Sequence, residues 1–216
     1  ATFDAPRGLA WDDANSDLYI ADTGNHRIRR VNGGSTQHVA GATTDVSGDV
    51  GNAITSTDST VRLNAPEGVF VAMWGTGTGA WMELLVADSG NHRMKRIDIA
   101  SLWLTRFSGT GAAGSYAGDG GLYTAAYLTS PAGLALDLSD NLLIADQGDR
   151  RVRKTGAVFS FITVAGDSVT CTPTTATCGD GGAAVNAQFA DPVDVAVDAS
   201  GDVFIADGSG GRIRKV

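Results

Sequence analysis

The sequence predicts an all-β repeat protein, and three observations lead to this fold class. Short runs of alternating apolar and polar residues, rich in Val, Ile, Leu and Tyr, are bounded by Gly, Asn, Asp and Pro, the pattern of antiparallel strands joined by tight turns. No stretch sustains the apolar i, i+3, i+4, i+7 spacing of an amphipathic helix. The same pattern occurs four times in 216 residues, at intervals of about 60 residues, which indicates a repeat architecture.

Each copy contains the same elements in the same order. A proline, at position 6, 66, 131 or 192, precedes a short apolar strand; an alternating strand then ends in Ala-Asp, a turn containing glycine follows, and a basic strand comes next. The first strands are expected at residues 9–11, 69–71, 134–136 and 195–197. Their apolar composition predicts burial on both faces, whereas the basic third strands are expected to face solvent.

A fourth, outer strand is expected in three copies, at residues 36–40, 104–108 and 161–165. Four-stranded units repeated around an axis form a β-propeller. We therefore expect one domain over residues 1–216, with repeats at about 1–63, 64–128, 129–189 and 190–216, the last without its outer strand. Because unpaired sheet edges invite pairing with another strand, we interpret the four blades as an incomplete arc of a larger ring, or as a ring completed by a neighbouring chain.

Two of the turns carry Asn-His-Arg, at residues 25–27 and 91–93. Together with the strand ending in Ala-Asp and the alternating basic residues, this pattern resembles the NHL-repeat family over almost the whole chain. The Gly-Asp-Gly-Gly segments at 118–121 and 179–182 are similar to a loop common in extracellular and bacterial NHL proteins. The resemblance implies a β-propeller. The third and fourth copies depart from it at the turn, where Gly or Asp can still form a tight turn.

The charge of the chain argues against one role found among proteins that this pattern resembles, which is RNA binding. The formal net charge is −8, whereas affinity for a phosphate backbone requires a basic face. The Lys and Arg residues are spread as one set per copy, which favours pairing with acidic groups on the same or the next blade. We therefore expect no nucleic-acid partner.

Four aspartates end the second strands, and an arginine follows each of them five residues later. Because these residues recur in every copy, we interpret them as structural: the carboxylate accepts hydrogen bonds from turn amides and pairs with the arginine. The residues are Asp22 with Arg27, Asp88 with Arg93, Asp146 with Arg151, and Asp207 with Arg212.

Catalytic chemistry is not expected from this sequence. A peptidyl-hydroxyglycine lyase resembles the same fold and uses zinc held by several histidines, but only His26, His38 and His92 are present here. No serine or cysteine stands in the context of an activated nucleophile. We expect no catalytic residue, metal ligand or cofactor. Two alternatives stay open: a weakly bound structural calcium ion, and a lyase or lactone-hydrolase type of propeller enzyme whose active residues lie outside this segment.

Two cysteines, Cys171 and Cys178, enclose the sequence TPTTAT in a long loop. We predict a disulfide, because two ligands alone do not make a zinc site. A disulfide in turn favours an extracellular or cell-surface location. The Thr- and Ser-rich runs at residues 55–60 and 170–177 are candidate O-glycosylation sites, while no Asn-x-Ser/Thr sequon is present.

The second copy carries an insertion that the other copies lack. Between its first and second strands lie residues 72–83, in which Trp74 and Trp81 flank Gly-Thr-Gly-Thr-Gly. Two tryptophans on such a loop form a candidate contact surface for a protein or a sugar. The alternative is that they hold the loop against their own or a neighbouring blade.

These observations favour a non-enzymatic interaction or structural module outside the cell. Protein partners or neighbouring copies are expected to bind through exposed blade edges and the inter-blade loops at residues 41–65, 109–130 and 166–191. Glycan contact and a place in a larger surface or filamentous assembly are further expectations. No direct membrane insertion is expected, because no stretch of 18 apolar residues is present.

Overall fold

The computed structural model describes residues 2–41, 50–52, 62–75, 79–112, 119–156, 160–172 and 177–216. The chain divides into two compact units, Ala1–Phe107 and Ser108–Val216. Each unit holds two antiparallel sheets, and the described residues form strands and short 3-10 turns but no α-helix. A membrane-spanning helix is accordingly absent from the described ranges. The all-β class is confirmed.

The first unit contains the sheets of the first two copies. One has four strands in the order β1-β2-β3-β4, and the other has five in the order β5-β9-β8-β7-β6. The strands are β1 Leu9–Asp12, β2 Asp17–Asp22, β3 Arg27–Asn32, β4 Ser35–Ala40, β5 Val50–Asn52, β6 Val69–Trp74, β7 Trp81–Asp88, β8 Arg93–Asp98 and β9 Trp103–Ser108. The 3-10 turns Thr23–Asn25 and Ser89–Asn91 connect the second and third strands of each sheet.

The second unit contains the sheets of the third and fourth copies. Their orders are β10-β11-β12-β13 and β14-β15-β16. The strands are β10 Pro131–Leu136, β11 Leu142–Asp146, β12 Arg151–Thr155, β13 Phe161–Ala165, β14 Pro192–Val197, β15 Val203–Asp207 and β16 Arg212–Lys215. Short 3-10 turns lie at Tyr123–Ala125, Gln147–Asp149 and Ala184–Asn186.

Each copy therefore forms a meander of antiparallel strands in chain order, which is the arrangement of a β-propeller blade. The predicted outer strands are present as β4, β9 and β13. One strand was not predicted: β5 pairs with β9 from within a segment expected to be a loop, and it makes the second sheet five-stranded. Its sequence, Val-Gly-Asn, gives little signal because Gly and Asn are depleted in strands.

The repeated aspartate and glycine fix the chain segment that precedes each proline. In the first blade, Asp22 Oδ1 accepts the N–H of Asp4 at 2.8 Å, and the Gly24 N–H donates to the Asp4 carbonyl at 2.9 Å. A Cβ on Gly24 would lie only 2.6 Å from the Asp4 side chain, so this close approach requires glycine. The same arrangement recurs for Asp88, Asn64 and Gly90, and for Asp146, Thr129 and Gly148.

A histidine joins the first blade to the second. His26 closes the turn after β2 in the left-handed conformation, with φ 54°. Its Nδ1 accepts the N–H of Ala65, the residue before the proline of the second blade, at 2.8 Å. The histidine of the repeated motif therefore has a structural partner in this chain.

The expected division between buried first strands and solvated third strands is wrong in part. Leu9 and Trp11 of β1 are 62 % and 54 % exposed, because alternate side chains of this strand point away from the packed face. Lys95 of β8 and Arg153 of β12 are fully buried. These cations tolerate burial because each meets a carboxylate and a backbone carbonyl.

Apolar side chains fill a core in each unit. In the first unit Ile28, Leu84, Val86 and Leu104 pack in one buried cluster. In the second unit a cluster that includes Val152, Phe189 and Ile205 does the same. The repeated apolar positions of the strands thus build the core, as the alternating pattern predicts.

The fourth sheet ends at β16, with no outer strand beyond it among the described residues. Ile213 of β16 is consequently 71 % exposed. Its counterparts on the other third strands, Ile28, Met94 and Val152, are fully buried. The open edge of β16 therefore exposes a side chain that the other blades cover.

Candidate ligand-binding face

In three of the four copies the repeated aspartate forms an ion pair with a basic residue seven positions later, whereas the sequence predicted pairs with Arg27, Arg93 and Arg151, five positions later. The shortest N–O distances are 2.8 Å for Asp22 with Arg29, 3.4 Å for Asp88 with Lys95 and 3.8 Å for Asp146 with Arg153. The physical reason is burial: Lys95 and Arg153 are fully buried and the Arg29 side chain is 13 % exposed, and a buried cation without a counter-charge is strongly destabilising.

The fourth copy differs from the other three. Asp207 accepts the N–H groups of Ala190 and Asp191, at 2.9 and 2.7 Å, and forms no ion pair with Arg212. Arg212 lies 3.7 Å from Asp180 instead, and Arg214 Nε donates to the same carboxylate at 2.8 Å. The pairing predicted for Asp207 and Arg212 is therefore also corrected.

The aspartates of the Gly-Asp-Gly-Gly segments bind arginine. Asp119 Oδ1 lies 2.7 Å from Arg153 Nη2, and its Oδ2 accepts the N–H of Thr163 at 2.8 Å. Asp180 pairs with Arg214 in the same way. Each arginine also donates to a backbone carbonyl in the segment that precedes its own blade, Arg153 to Tyr127 and Arg214 to Gln188. These loops thus anchor the third strand through their carboxylates.

Burial shifts the titration of two of the repeated acids. Desolvation raises the pKa of Asp146 to about 7, against the opposing effects of the Thr129 N–H and of Arg153. It also raises the pKa of Asp88, although Lys95 and the Asn64 N–H favour its charged form. The perturbation follows from each acid's buried place in the scaffold, and each carboxylate already has partners within its own blade.

A disulfide joins Cys171 and Cys178, with the two Cα atoms 5.5 Å apart. Both cysteines are buried, at 2 % and 3 % exposed. The candidate O-glycosylation run at residues 55–60 lies outside the described residues, as do residues 173–176 of the second run.

The insertion of the second copy is largely an extended hairpin, which corrects the expectation of a flexible loop. β6 and β7 continue as a paired ladder to Trp74 and Trp81, which lie opposite each other. Residues 76–78 at its tip are outside the described residues. Trp74 Nε1 donates to Glu83 Oε2 at 2.9 Å, so this tryptophan contacts its own blade, while Trp81 is 52 % exposed.

A third tryptophan lies on the same face of the second blade. Leu104 of β9 points into the core of the first unit, so its neighbours Trp103 and Thr105 point to the opposite face. Arg96 Nε donates to Thr105 Oγ1 at 3.0 Å, which places both side chains on that face. Trp103 is 50 % exposed. Three of the four tryptophans of the chain therefore share one face of one sheet.

Polar groups lie between these indole rings. Glu83 and Asp98 are opposite each other in the ladder, and Arg96 Nη1 lies 3.5 Å from Glu83 Oε1. Ser101 donates twice to Asp98 Oδ1, at 2.6 Å from both its N–H and its hydroxyl, and these bonds lower the pKa of Asp98. We call the set formed by Trp74, Trp81, Trp103, Glu83, Arg96 and Asp98 the tryptophan face.

The tryptophan face includes a cleft of about 300 Å³ lined by Glu83, Arg96, Asp98, Ser101, Trp103 and Thr105. Sequence reasoning found Trp74 and Trp81 but missed Trp103. A signal for it was available: the equivalent positions of the other outer strands are Ser35 and Ser160. A large aromatic residue at a position that is serine elsewhere marks an unrepeated surface.

Other clefts lie within each unit. One of about 670 Å³ in the first unit is lined by Asp17, Arg30 and Met73 together with Trp81 and Asp98, so it adjoins the tryptophan face. One of about 780 Å³ in the second unit runs along the open edge of β16 and the Gly-Asp-Gly-Gly segment at 179–182. The described residues do not bring three or more His, Cys, Asp or Glu side chains into a metal-binding group.

Profiles of known protein families match two parts of this chain, one near each end. A family profile described as "NHL repeat" matches residues 3–31, and one described as "Teneurin NHL domain" matches residues 157–216. The human NHL repeat-containing protein 2 is 34 % identical over 95 residues, which are 44 % of this chain and 12 % of that protein. The chain thus spans only a small part of this curated relative.

Two solved structures resemble the fold over nearly the whole chain. A structural genomics protein of unknown function from Bacteroides thetaiotaomicron gives a TM-score of 0.69 at 21 % identity, over 96 % of this chain and 46 % of that one. An auxiliary nutrient binding protein from Bacteroides ovatus gives 0.67 at 16 % identity, over 100 % and 48 %. The chain spans about half the length of each. At these identities the likeness shows the fold alone.

The four meandering sheets and their shared turns define a repeat protein of the β-propeller class. The profile matches at both ends agree with the recurrence of the Ala-Asp ending and the basic third strand in all four copies. Residues 3–31 and 157–216 of the chain are thus similar to NHL-type propeller blades.

Proposed function

We propose that this chain is a non-enzymatic interaction module that works outside the cell and that binds its partner through the tryptophan face. The observation that carries the proposal is the gathering of Trp74, Trp81 and Trp103 on one face of the second blade, with two of them about half exposed. Clustered tryptophans with a few polar groups are typical of binding surfaces, because large rigid rings supply contact area at low entropic cost.

The repeated residues are used to build the blades, which leaves the unrepeated residues for binding. Each repeated aspartate is engaged by backbone N–H groups, and three of the four also pair with a cation of their own blade. Trp74, Trp81 and Trp103, by contrast, have no tryptophan at the equivalent positions of the other copies. A scaffold with one unrepeated aromatic surface is what a binding module requires.

The buried disulfide supports an extracellular setting. Disulfides persist in oxidising compartments and are rare in the cytosol. Titration of native protein with a thiol reagent under denaturing conditions tests this support: we expect no free thiol. Two reactive thiols in freshly purified material would remove it.

The binding role is tested by measuring attachment of the tagged chain to intact cells and to deposited extracellular matrix. We expect Trp103→Ala and Trp81→Ala to reduce attachment by about tenfold or more, as for residues at the centre of a contact. Trp11→Ala is the matched control, since Trp11 is 54 % exposed on β1, in a different sheet from the tryptophan face. The proposal is contradicted if the three variants attach equally well, or if the parent chain does not attach.

A further inference from the structure

We infer that the tryptophan face binds a neutral saccharide. This inference rests on the proposed function, because it names the ligand class of the same surface. Three features of the surface favour a sugar over a protein or a cation: the aromatic platform, the balance of charge within the cleft, and the mixture of hydrogen-bond donors and acceptors.

The aromatic platform is the first ground. Trp81 and Trp103 lie on β7 and β9, two strand spacings apart, which is roughly 10 Å across the sheet. Indole rings present flat apolar surfaces, against which the C–H groups of a pyranose ring pack well. Two such rings at this separation match an extended chain of sugar rings better than a single small molecule.

The charge of the cleft is the second ground. Arg96 lies 3.5 Å from Glu83, so one carboxylate is neutralised inside the site and attracts a bound cation less strongly. Asp98 adds a second carboxylate, which disfavours phosphate or other anions. A ligand without formal charge is repelled neither by the Arg96 guanidinium nor by the Asp98 carboxylate.

The hydrogen-bonding groups are the third ground. In the described part of the chain, no hydrogen bond is found for the indole N–H groups of Trp81 and Trp103, and the Asp98 carboxylate can accept. Arg96 contributes further N–H donors, and Thr105 a hydroxyl. Sugar hydroxyls donate and accept at once, so a polyhydroxylated ring can satisfy this mixed set.

The cleft itself, at about 300 Å³, is at the lower end of ligand-pocket volumes. It therefore accommodates one sugar ring, with the neighbouring rings resting on the exposed indoles. We expect a hexasaccharide to bind more tightly than the corresponding monosaccharide, because the longer chain contacts both Trp81 and Trp103.

The test uses the full 216-residue chain and a panel of neutral hexasaccharides: cello-, laminari-, xylo-, manno-, malto- and chitohexaose. Binding is measured by calorimetry and by tryptophan fluorescence. We expect at least one of them to bind, and Trp103→Ala and Trp81→Ala each to weaken that binding by about tenfold or more. Trp11→Ala should leave it unchanged within about twofold. Trp103→Phe, which keeps an aromatic ring, should retain most of the affinity and shows that loss in the alanine variant is not loss of folding.

Three outcomes would overturn the inference. One is that no hexasaccharide of the panel binds. Another is that Trp11→Ala weakens binding as much as Trp103→Ala does. The third is that a trimethyl-lysine peptide binds in a Trp103-dependent way while the sugars do not. A different result separates this inference from the proposed function. If attachment to cells or matrix depends on Trp103 but no hexasaccharide competes with it, the sugar assignment is wrong and the proposed function still holds.

Discussion

Arg153 and Asp119 form an ion pair between a fully buried strand position and a Gly-Asp-Gly-Gly loop, with 2.7 Å between Nη2 and Oδ1. The same guanidinium donates to the Tyr127 carbonyl at 2.8 Å and lies over the ring of Phe161. One side chain thus holds together an outer strand, a loop and the segment before the third blade's proline.

Replacing this arginine is expected to be costly. Arg153→Met removes the cation shared by Asp119, Asp146 and the Tyr127 carbonyl, so we expect a loss of about 3–5 kcal/mol in the free energy of unfolding above pH 7, where Asp146 is ionised. Urea titration followed by circular dichroism measures it. Arg106→Met removes the same charge from an exposed position of β9 and should change stability by less than about 0.5 kcal/mol. Equal losses in the two variants would contradict the structural role of Arg153.

The raised pKa of Asp146 predicts that the free energy of unfolding depends on pH. The unfolded carboxyl releases its proton near the ordinary value of 3.8, whereas the folded one keeps it to about 7. Between these pH values unfolding releases a proton, so rising pH favours the unfolded state. The stabilising contribution of protonated Asp146 is complete below pH 3.8 and is lost as the pH approaches 7.

The difference in unfolding free energy between the parent chain and Asp146→Asn isolates this group. Between pH 4 and 7 we expect the parent chain to lose more than about 1.4 kcal/mol of unfolding free energy relative to Asp146→Asn, which is the value of one pKa unit. Asp137 provides a contrast, because hydrogen bonds from Asn141 and Ser139 lower its pKa to about 2 against the effect of desolvation. Its contribution is present above pH 3.8 and is lost below it. A parent-minus-variant difference for Asp146→Asn that stays flat from pH 4 to 7 would refute the assignment.

Reduction of the disulfide should destabilise the second unit. In the chain-entropy account, opening the short loop between Cys171 and Cys178 costs about 2–3 kcal/mol. Urea unfolding with and without dithiothreitol measures the loss. The Cys171→Ser, Cys178→Ser double variant is the control and should show no response to the reductant. An unchanged midpoint for the parent chain after full reduction would count against this role.

Ile213 and Val152 occupy equivalent positions but differ in burial, at 71 % and 0 % exposed. Val152→Ser should therefore cost about 2 kcal/mol or more, because it removes buried methyl groups and buries a hydroxyl. Ile213→Ser should stay within about 0.5 kcal/mol, as for an ordinary surface change. Thermal unfolding of both variants checks the contrast, and a large loss at Ile213 would mean that its side chain is covered in solution.

Much of the fold was predictable because the same local chemistry recurs. Asp22 and Gly24, with their equivalents, mark the ends of second strands, since only a carboxylate beside a residue without Cβ permits the close contact with Asp4. The outer strands were found from alternation alone. Burial was harder to predict. A basic strand indicates solvent by composition, yet Lys95 and Arg153 are interior because their partners come from distant loops.

The candidate site was predictable only in part. Trp74 and Trp81 were conspicuous through the insertion, whereas Trp103 sits in an ordinary outer strand and joins them through the sheet. Which side chains meet across three strands depends on register, and a single sequence does not fix register between strands that are separated by turns of uncertain length.

The bridge between Cys171 and Cys178 also governs what a protease could accomplish. A cut at any peptide bond between these cysteines would leave the two fragments covalently joined, so nicked and intact chains would migrate together on a non-reducing gel. The fourth sheet, formed by β14, β15 and β16, would stay tethered to the rest of the polypeptide after such a cleavage.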